Sequence, residues 1–465
     1  RAFSDIYAET HVHRLASFFG AFRDALQSHK KHADDRIAVL SPGPANETYF
    51  EHSYIARYLG FMLLEGEDLT VVNNQVMVRT VAGLKPVSVL WRRLDANYAD
   101  PLELNQTSQI GTPGLVQALR AESVTIVNAL GSGLLETRAF LSFMPAICRR
   151  LLNEDLKLPS IATWWCGQKA EREHVARNLD KMVIGPAYSS LPFFDDYNQS
   201  QAGSALKVTG EAFLKRLTEE GAGLVGQEIV KLSTTPAYID GRLQPRPMSL
   251  RVFAARTRDG WQIMPGGFAR IGTSDDVSAI AMQKGGSVAD VWIVSDSPVK
   301  WSTLLPSESN FTRNMPGSLP SRAADNLFWL GRYIERAEGG LRILRAWHGR
   351  FAEYADRKQP LLANVSDYLA ALDIDTEETI PESLVNNITS ALYSASNIRD
   401  RFSPDGWLAL NDLAKTTQEF QEKIKAGDDA TSAMTVLLRK LAGFAGLVHE
   451  NMYRFPGWRF LSIGR

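Results

Sequence analysis

Apolar residues fall in short runs over roughly the first 295 positions and at helical spacing afterwards. Ile37–Leu40 runs into Ser41-Pro42-Gly43-Pro44, which predicts a buried strand ending in a loop. Leu69–Val72 and Val76–Val81 flank Asn73-Asn74, a hairpin signal. Val87–Trp91, Val124–Ala129, Met182–Ile184, Val225–Val230 and Val291–Val294 predict further strands, and Phe140–Leu152 a helix between two of them. Leu250–Ala255 and Trp261–Met264 read as strands joined by a turn at Asp259-Gly260, with Arg251 able to lie on one face. Residues 296–320 are rich in Ser and Pro and read as a linker. Beyond it Leu327, Leu330, Ile334, Ala337, Leu341 and Leu344 recur every three or four residues, an amphipathic helix opening near Pro320-Ser321. Helical stretches follow near 361–373, 381–399, 405–425 and 430–452. The pattern predicts an α+β region followed by an all-α domain.

Composition narrows the function classes. A chain of 465 residues suggests two to four domains. Lys and Arg number 51 against 52 Asp and Glu, so no global basic field recruits nucleic acid or an anionic membrane. No apolar run approaches the ~18 residues of a membrane span, and no signal peptide opens the chain. Two cysteines, Cys148 and Cys166, fit a reducing cytoplasm better than a disulfide scaffold. Cys166 sits in Trp164-Trp165-Cys166-Gly167, whose aromatics suggest packing. Arg1 without Met, and Arg465 inside a helical pattern, predict a piece of a longer protein. Leu327-Phe328-Trp329-Leu330-Gly331-Arg332 resembles Arg459–Arg465, which suggests either a duplicated helical hairpin or a chance match.

Five clusters could carry chemistry. Arg92-Arg93-Leu94-Asp95 follows a strand, where a carboxylate can hold Mg²⁺ and an arginine phosphate, or where a surface ion pair can sit. Asn128-Ala129-Leu130-Gly131-Ser132-Gly133 could join a metal shell and approach phosphate through backbone, or be a tight strand-to-helix turn. It lacks the Gly-Lys-Ser/Thr end of a P-loop. Gln227-Glu228 could read a purine or face solvent. Arg246, Arg251 and Arg270 could converge on an anion or pair with carboxylates. Residues 42–52, with Asn46, Glu47, Tyr49 and His52, form a polar candidate substrate loop. His11 and His13 belong to no zinc-ligand spacing.

Together these stretches resemble the circularly permuted ATP-grasp proteins of type 2 fused to an alpha-E helical domain. The resemblance rests on Ser41–Gly66, Arg92–Leu104, Asn128–Glu136, Leu158–Gly167, Gly226–Leu232, Arg246–Arg256 and Met264–Arg270. Phe328-Trp329-Leu330-Gly331-Arg332-Tyr333-Ile334-Glu335-Arg336-Ala337-Glu338 looks like the alpha-E signature. It implies an N-terminal substrate-side region at 1–90, a permuted ATP-grasp core at 91–300, a linker at 301–320, and an incomplete helical domain at 321–465.

The resemblance also implies an ATP- and Mg²⁺-dependent carboxylate–amine ligase that forms a peptide or amide bond through an acyl phosphate. Asp95 and Asn128, with Glu136 as a neighbour, would hold Mg²⁺. Gln227 and Glu228 would form the adenine hinge, and Lys181, Gly131 and Gly133 would contact the nucleotide. Arg93, Arg251 and Arg270 would face phosphates or the acyl phosphate. Asn46, Glu47, Tyr49 and His52 would meet small-molecule or peptide substrates. Protein partners would meet the helical domain. Two positions depart from the family: Gly185 in Met182-Val183-Ile184-Gly185-Pro186, and Ala289 in Ala289-Asp290-Val291-Trp292, where relatives often carry lysine. Lys181, Lys231 or Lys284 could replace those charges. The competing expectation is a degenerate ATP-grasp module acting as a non-catalytic binding or scaffold protein.

Overall fold

The computed structural model describes residues 4–190, 201–202, 210–272, 286–300, 302–304, 319–354, 359–401, 403–452 and 456–465. Lys284 and most of the 301–320 linker lie outside the described residues. The chain divides into two compact units, Leu26–Val127 with Pro306–Arg465 and Arg1–Ala25 with Asn128–Leu305.

In the first unit one sheet contains β1 (Arg36–Leu40), β2 (Met62–Leu64), β3 (Leu69–Val72), β4 (Gln75–Thr80), β5 (Gly83–Arg92) and β6 (Thr125–Val127). Their order is β2-β1-β5-β4-β3, with β6 also on β5. β1 is parallel to β2 and β5, and β5 is parallel to β6, so four carboxyl ends share one edge. The apolar run Ile37–Leu40 is buried throughout, as a strand paired on both sides requires. Asn73 and Asn74 hold φ of 50° and 63°, the positive values a tight hairpin needs.

Residues 42–52 are a loop only as far as Thr48. Tyr49–Leu59 is a helix, closed by Gly60 at φ 74° on the carbonyls of Ala56 and Arg57. Its inward face includes His52 and Ser53, and these buried polar residues hide its period from a hydrophobic scan.

The helical part of this unit is built round Ser321–Tyr354, which packs against Glu382–Ser396, Asp428–Asn451 and Pro456–Gly464. The predicted stripe from Leu327 to Leu344 is buried. Ser403 accepts a hydrogen bond from the Gly406 amide at the start of Pro404–Lys423, and Gln359 caps Pro360–Ala371 in the same way. Asp428–Asn451 is long and apolar enough, by length and composition, to cross a membrane, contrary to expectation. Here it places Met434, Leu437, Leu441, Phe444 and Val448 in the helical core. The two similar motifs meet: a Cβ at Gly331 would lie 2.2 Å from the Leu461 carbonyl oxygen, and one at Gly464 2.1 Å from that of Phe328.

In the second unit β7 (Thr163–Trp165), β8 (Met182–Pro186), β9 (Gln201–Ala202) and β10 (Leu224–Glu228) form an antiparallel sheet in the order β7-β10-β8-β9. Its core includes Cys166, Val175, Leu179, Met182 and Leu224. Burial pushes the Cys166 thiol up to about 11, the behaviour of a packing residue rather than a nucleophile. A second antiparallel sheet contains β11 (Thr234–Ile239), β12 (Arg242–Thr257), β13 (Gly260–Ile271) and β14 (Ser287–Trp292). β12 and β13 are longer than their apolar runs. Thr257 pairs with Gly260, so the turn residues are Arg258-Asp259, one position before the predicted pair. The predicted helix at Phe140–Leu152 divides into Arg138–Leu141 and Met144–Leu152, with Pro145 in the first turn of the latter.

Candidate functional site

Parallel strands collect their following loops at one sheet edge, the usual place for a site in an open α/β sheet. Here Ser41 follows β1, Glu65 follows β2 and Arg93 follows β5. Ser41 donates its amide to the Leu64 carbonyl at 2.8 Å, and Arg93 its amide to the Leu40 carbonyl at 2.8 Å, which locks the three ends together. Asn128 directly follows β6 and opens the main segment of the other unit.

The loop after β1 is braced from beneath. His52 is buried, with Nδ1 3.0 Å from Ser41 Oγ and Nε2 3.1 Å from Thr48 Oγ1. Thr48 Oγ1 donates to Asn46 Oδ1 at 2.6 Å, so it accepts from the imidazole. Nε2 therefore carries a proton, and in the neutral ring Nδ1 then accepts from Ser41 Oγ, which also accepts from the Gly43 amide at 3.2 Å. Burial first, and the Arg93 charge second, hold the imidazole down at about 4. Tyr49 is also buried, with its hydroxyl 3.4 Å from the Asn397 carbonyl, and burial raises its phenol well above the usual range. Of the four expected substrate residues, Asn46 and Glu47 are exposed, while Tyr49 and His52 support them from below.

Glu65, Glu67 and Asp68 were not expected as site residues. They surround Arg322, in the first turn of Ser321–Tyr354. Its guanidinium is 2.8 Å from Asp68 Oδ2, 2.9 Å from Glu65 Oε1 and 3.5 Å from Glu67 Oε1. It also donates to the Asn397 carbonyl at 3.1 Å. Burial works against the Arg322 charge, but its bond to Asp68 and the Glu65 carboxyl outweigh that and raise it. Burial pushes Glu65 up to about 7; Arg322 opposes this, and Asp68, Glu67 and Asp400 add to it. The sequence signal was the acidic run Glu65-Gly66-Glu67-Asp68 directly after an apolar run.

Arg93 is exposed, its guanidinium 5.7 Å from the centre of the Trp91 ring. Asp95 is exposed at the start of the short turn Ala96–Tyr98. In the second unit Gly131, at φ 84°, opens the turn Ser132–Glu136, and a Cβ at Gly131 or Gly133 would meet nothing within 4 Å. Asn128 and Glu136 are exposed. The structure thus places the expected metal residue Asp95 in one unit and Asn128 and Glu136 in the other. Among the described residues no group of three or more His, Cys, Asp or Glu could hold a metal.

Lys181, Gln227 and Glu228 are brought together at one end of the β7–β10 sheet. Glu228 pairs with Met182, and the Lys181 carbonyl accepts from the Ile229 amide at 2.9 Å. Gln227 Nε2 donates to Thr163 Oγ1 at 2.9 Å. On the other sheet Arg251 pairs with Phe268 and Phe268 with Asp290, while Ser249 pairs with Arg270 and Arg270 with Val288. Directly opposed residues share a face, and so do residues two apart, so Arg251, Arg270 and Asp290 lie on one face. Ala289 pairs with Ala269 and lies on the other. Gly185 is buried opposite Val225.

The family model for circularly permuted ATP-grasp type 2 matches residues 1–272. This chain belongs to that family. A second model, for a predicted alpha-helical domain with a conserved ER motif, matches residues 319–465, where Glu335-Arg336 lies on the central helix. The fusion expected from the sequence is therefore present. The uncharacterized protein Rv2567 of Mycobacterium tuberculosis is 28% identical over 508 residues, covering 100% of this chain and 56% of the relative. The uncharacterized protein Rv2411c of the same organism is 30% identical over 297 residues, 63% of this chain and 53% of the relative. The uncharacterized protein sll0335 of Synechocystis is 29% identical over 261 residues, 56% of this chain and 53% of the relative. The chain spans about half the length of these relatives.

Proposed function

We propose that this chain carries the nucleotide and acyl-activating elements of an ATP- and Mg²⁺-dependent ligase that joins a carboxylate to an amine. The observation that carries the reading is the common face of Arg251 and Arg270 on β12 and β13 in a chain of the ATP-grasp family. Two arginines on one face suit an anion with several oxygens, which guanidinium forks grip in pairs. Lys181, Gln227 and Glu228, gathered at a strand end, suit a base and its sugar.

The donor set fits magnesium carried by phosphates rather than a free-standing ion. Asp95 in one unit and Asn128 in the other are each exposed oxygen donors, and Mg²⁺ takes one or two protein oxygens beside substrate phosphates. Bound beside either, it would supply charge neutralisation for phosphoryl transfer. Arg251 and Arg270 would orient the transferred group and offset its charge. In the reaction a carboxylate oxygen takes the γ-phosphoryl group of ATP and ADP leaves. An amine then attacks the acyl carbon, the C–N bond forms, the C–O bond to phosphate breaks, and the amine proton passes to solvent or phosphate.

A second reading, a degenerate module that binds partners, has its own observation in Gly185 and Ala289. Calorimetric titration with ATP and MgCl₂ separates the two. Saturable, magnesium-dependent heat that Asp95→Ala and Asn128→Ala both weaken supports the ligase, with ADP release across a panel of acids and amines as the following assay. No binding at millimolar ATP favours the scaffold.

A further inference from the structure

The helical domain is tied to the segments flanking the loop Pro42–Thr48 by the half-buried Arg322 and by the Asn397 carbonyl. Arg322 lies in the first turn of the central helix, and the Glu65 carboxylate it holds is pressed against Gly43. A Cβ at Gly43 would stand 2.9 Å from Glu65 Oε2. Gly43 has φ 99°, and its amide starts the hydrogen-bonded series Gly43, Ser41, His52, Thr48, Asn46. A second tie runs in parallel: the Asn397 carbonyl receives both Arg322 Nη1 and the Tyr49 hydroxyl, and Asn397 Nδ2 donates to Asn326 Oδ1 at 3.2 Å. Thus each end of the loop is anchored, through Glu65 at Gly43 and through Tyr49 at Thr48, to the helical domain. Asp68, almost wholly buried, fixes the arginine by accepting from both Nε and Nη2.

We propose that Arg322 and Glu65 are positioning residues through which the helical domain sets the geometry of the loop Pro42–Thr48. The use of that loop for an acid or amine rests on the ligase reading; the mechanical coupling does not. Neither side chain reaches the exposed tips Asn46 and Glu47, so both act through Gly43 and the imidazole brace. A surface ion pair would not work this way, because water would replace the arginine. Here a carboxyl with only 16% of its side chain exposed loses its cation, and the strain falls on the glycine packed against it.

The test is amide hydrogen exchange of the full chain, read peptide by peptide, without nucleotide or substrate. In Glu65→Gln and Arg322→Ala the amides of Gly43 and Ala45–Thr48 should exchange about tenfold faster or more, while those of Asp428–Asn451 keep their protection. Arg322→Lys should restore part of the loop protection. Gly43→Ala should act from the opposite side and loosen the first turn of Ser321–Tyr354, since coupling is reciprocal. Arg342→Ala, which removes the exposed pair with Glu338, should change neither region. Unchanged loop exchange in Glu65→Gln overturns the proposal. So does loop exchange that rises only in step with the whole helical domain, which would make the pair a fold-wide prop. Loop coupling without any ATP binding would sink the ligase reading and leave this one standing.

Discussion

Glu65 packs against Gly43 and His52 braces Ser41, and the two shift in opposite directions, with opposite consequences for stability. Glu65 rises from 4.5 to about 7 in the folded chain. The folded state therefore holds its proton more tightly, and stability is lost as pH climbs from about 4.5 to 7. His52 falls from 6.5 to about 4, so the unfolded state binds the proton more tightly and stability is lost as pH drops from about 6.5 to 4. Over the shared window the two slopes cancel, each at most about 1.4 kcal/mol per pH unit. The groups facing Glu65 are Arg322, Glu67, Asp68, Asp400 and Tyr49, and Arg93 faces His52. Removing either titration should expose the other. Glu65→Gln should become less stable than the wild type on acidification through this window, and His52→Gln less stable on raising the pH, each by on the order of 1–3 kcal/mol. Urea midpoints at pH 4.5, 5.5, 6.5 and 7.5 measure this. Profiles parallel to the wild type would show that the two groups do not titrate as a balanced pair.

Among the elements, the helices of the C-terminal part were the most legible, because period 3.6 is spelled by Leu327, Leu330, Ile334, Leu341 and Leu344 and all of them are buried. The strands before it were legible where apolar runs marked them, and underestimated where much of a strand faces solvent, as in β12 with exposed Arg251 and Val252. The Tyr49–Leu59 helix was missed because His52 and Ser53 on its buried face are polar and break the apolar period. The acid–arginine cluster was missed because its members lie 254 positions apart, and no local pattern links Asp68 to Arg322. The motif similarity between Leu327–Arg332 and Arg459–Arg465 did have a structural counterpart, two glycines at a close helix crossing. That crossing makes a matched prediction. Gly331→Ala forces a Cβ into the Leu461 carbonyl and should cost about 2 kcal/mol or more, despite alanine's better helix propensity. Gly339→Ala, on the same helix with nothing within 4 Å of the new Cβ, should instead stabilise by about 0.5–1 kcal/mol. Denaturant midpoints of the two variants should move in opposite directions; a shared direction would refute the close crossing.

At the scale of the whole molecule, the order of chemistry along the chain differs from its grouping in space. Residues 1–25 join 128–305, and 26–127 join the helices, so the loop Pro42–Thr48, Arg93 and Asp95 belong with the helical domain while Gln227, Glu228, Arg251 and Arg270 belong with the two antiparallel sheets. A linear reading with a boundary near 90 has no signal for such interleaving, since apolar runs report strands and not which sheet they join. The division gives the nucleotide reading a specific consequence. A ligand that binds only folded chain stabilises it by RT ln(1 + [L]/Kd), about 2.7 kcal/mol at a hundredfold excess over Kd. Mg·ATP should therefore raise the unfolding temperature by a few degrees. Arg251 is exposed, with its guanidinium 5.7 Å from the centre of the Phe268 ring, so Arg251→Ala should leave the unliganded melting temperature nearly unchanged. With ATP present the same variant should lose most of the rise, because the loss is of anion binding and not of packing. Equal rises in the wild type and Arg251→Ala would remove the arginine face from the nucleotide site, even if ATP still bound elsewhere on the chain.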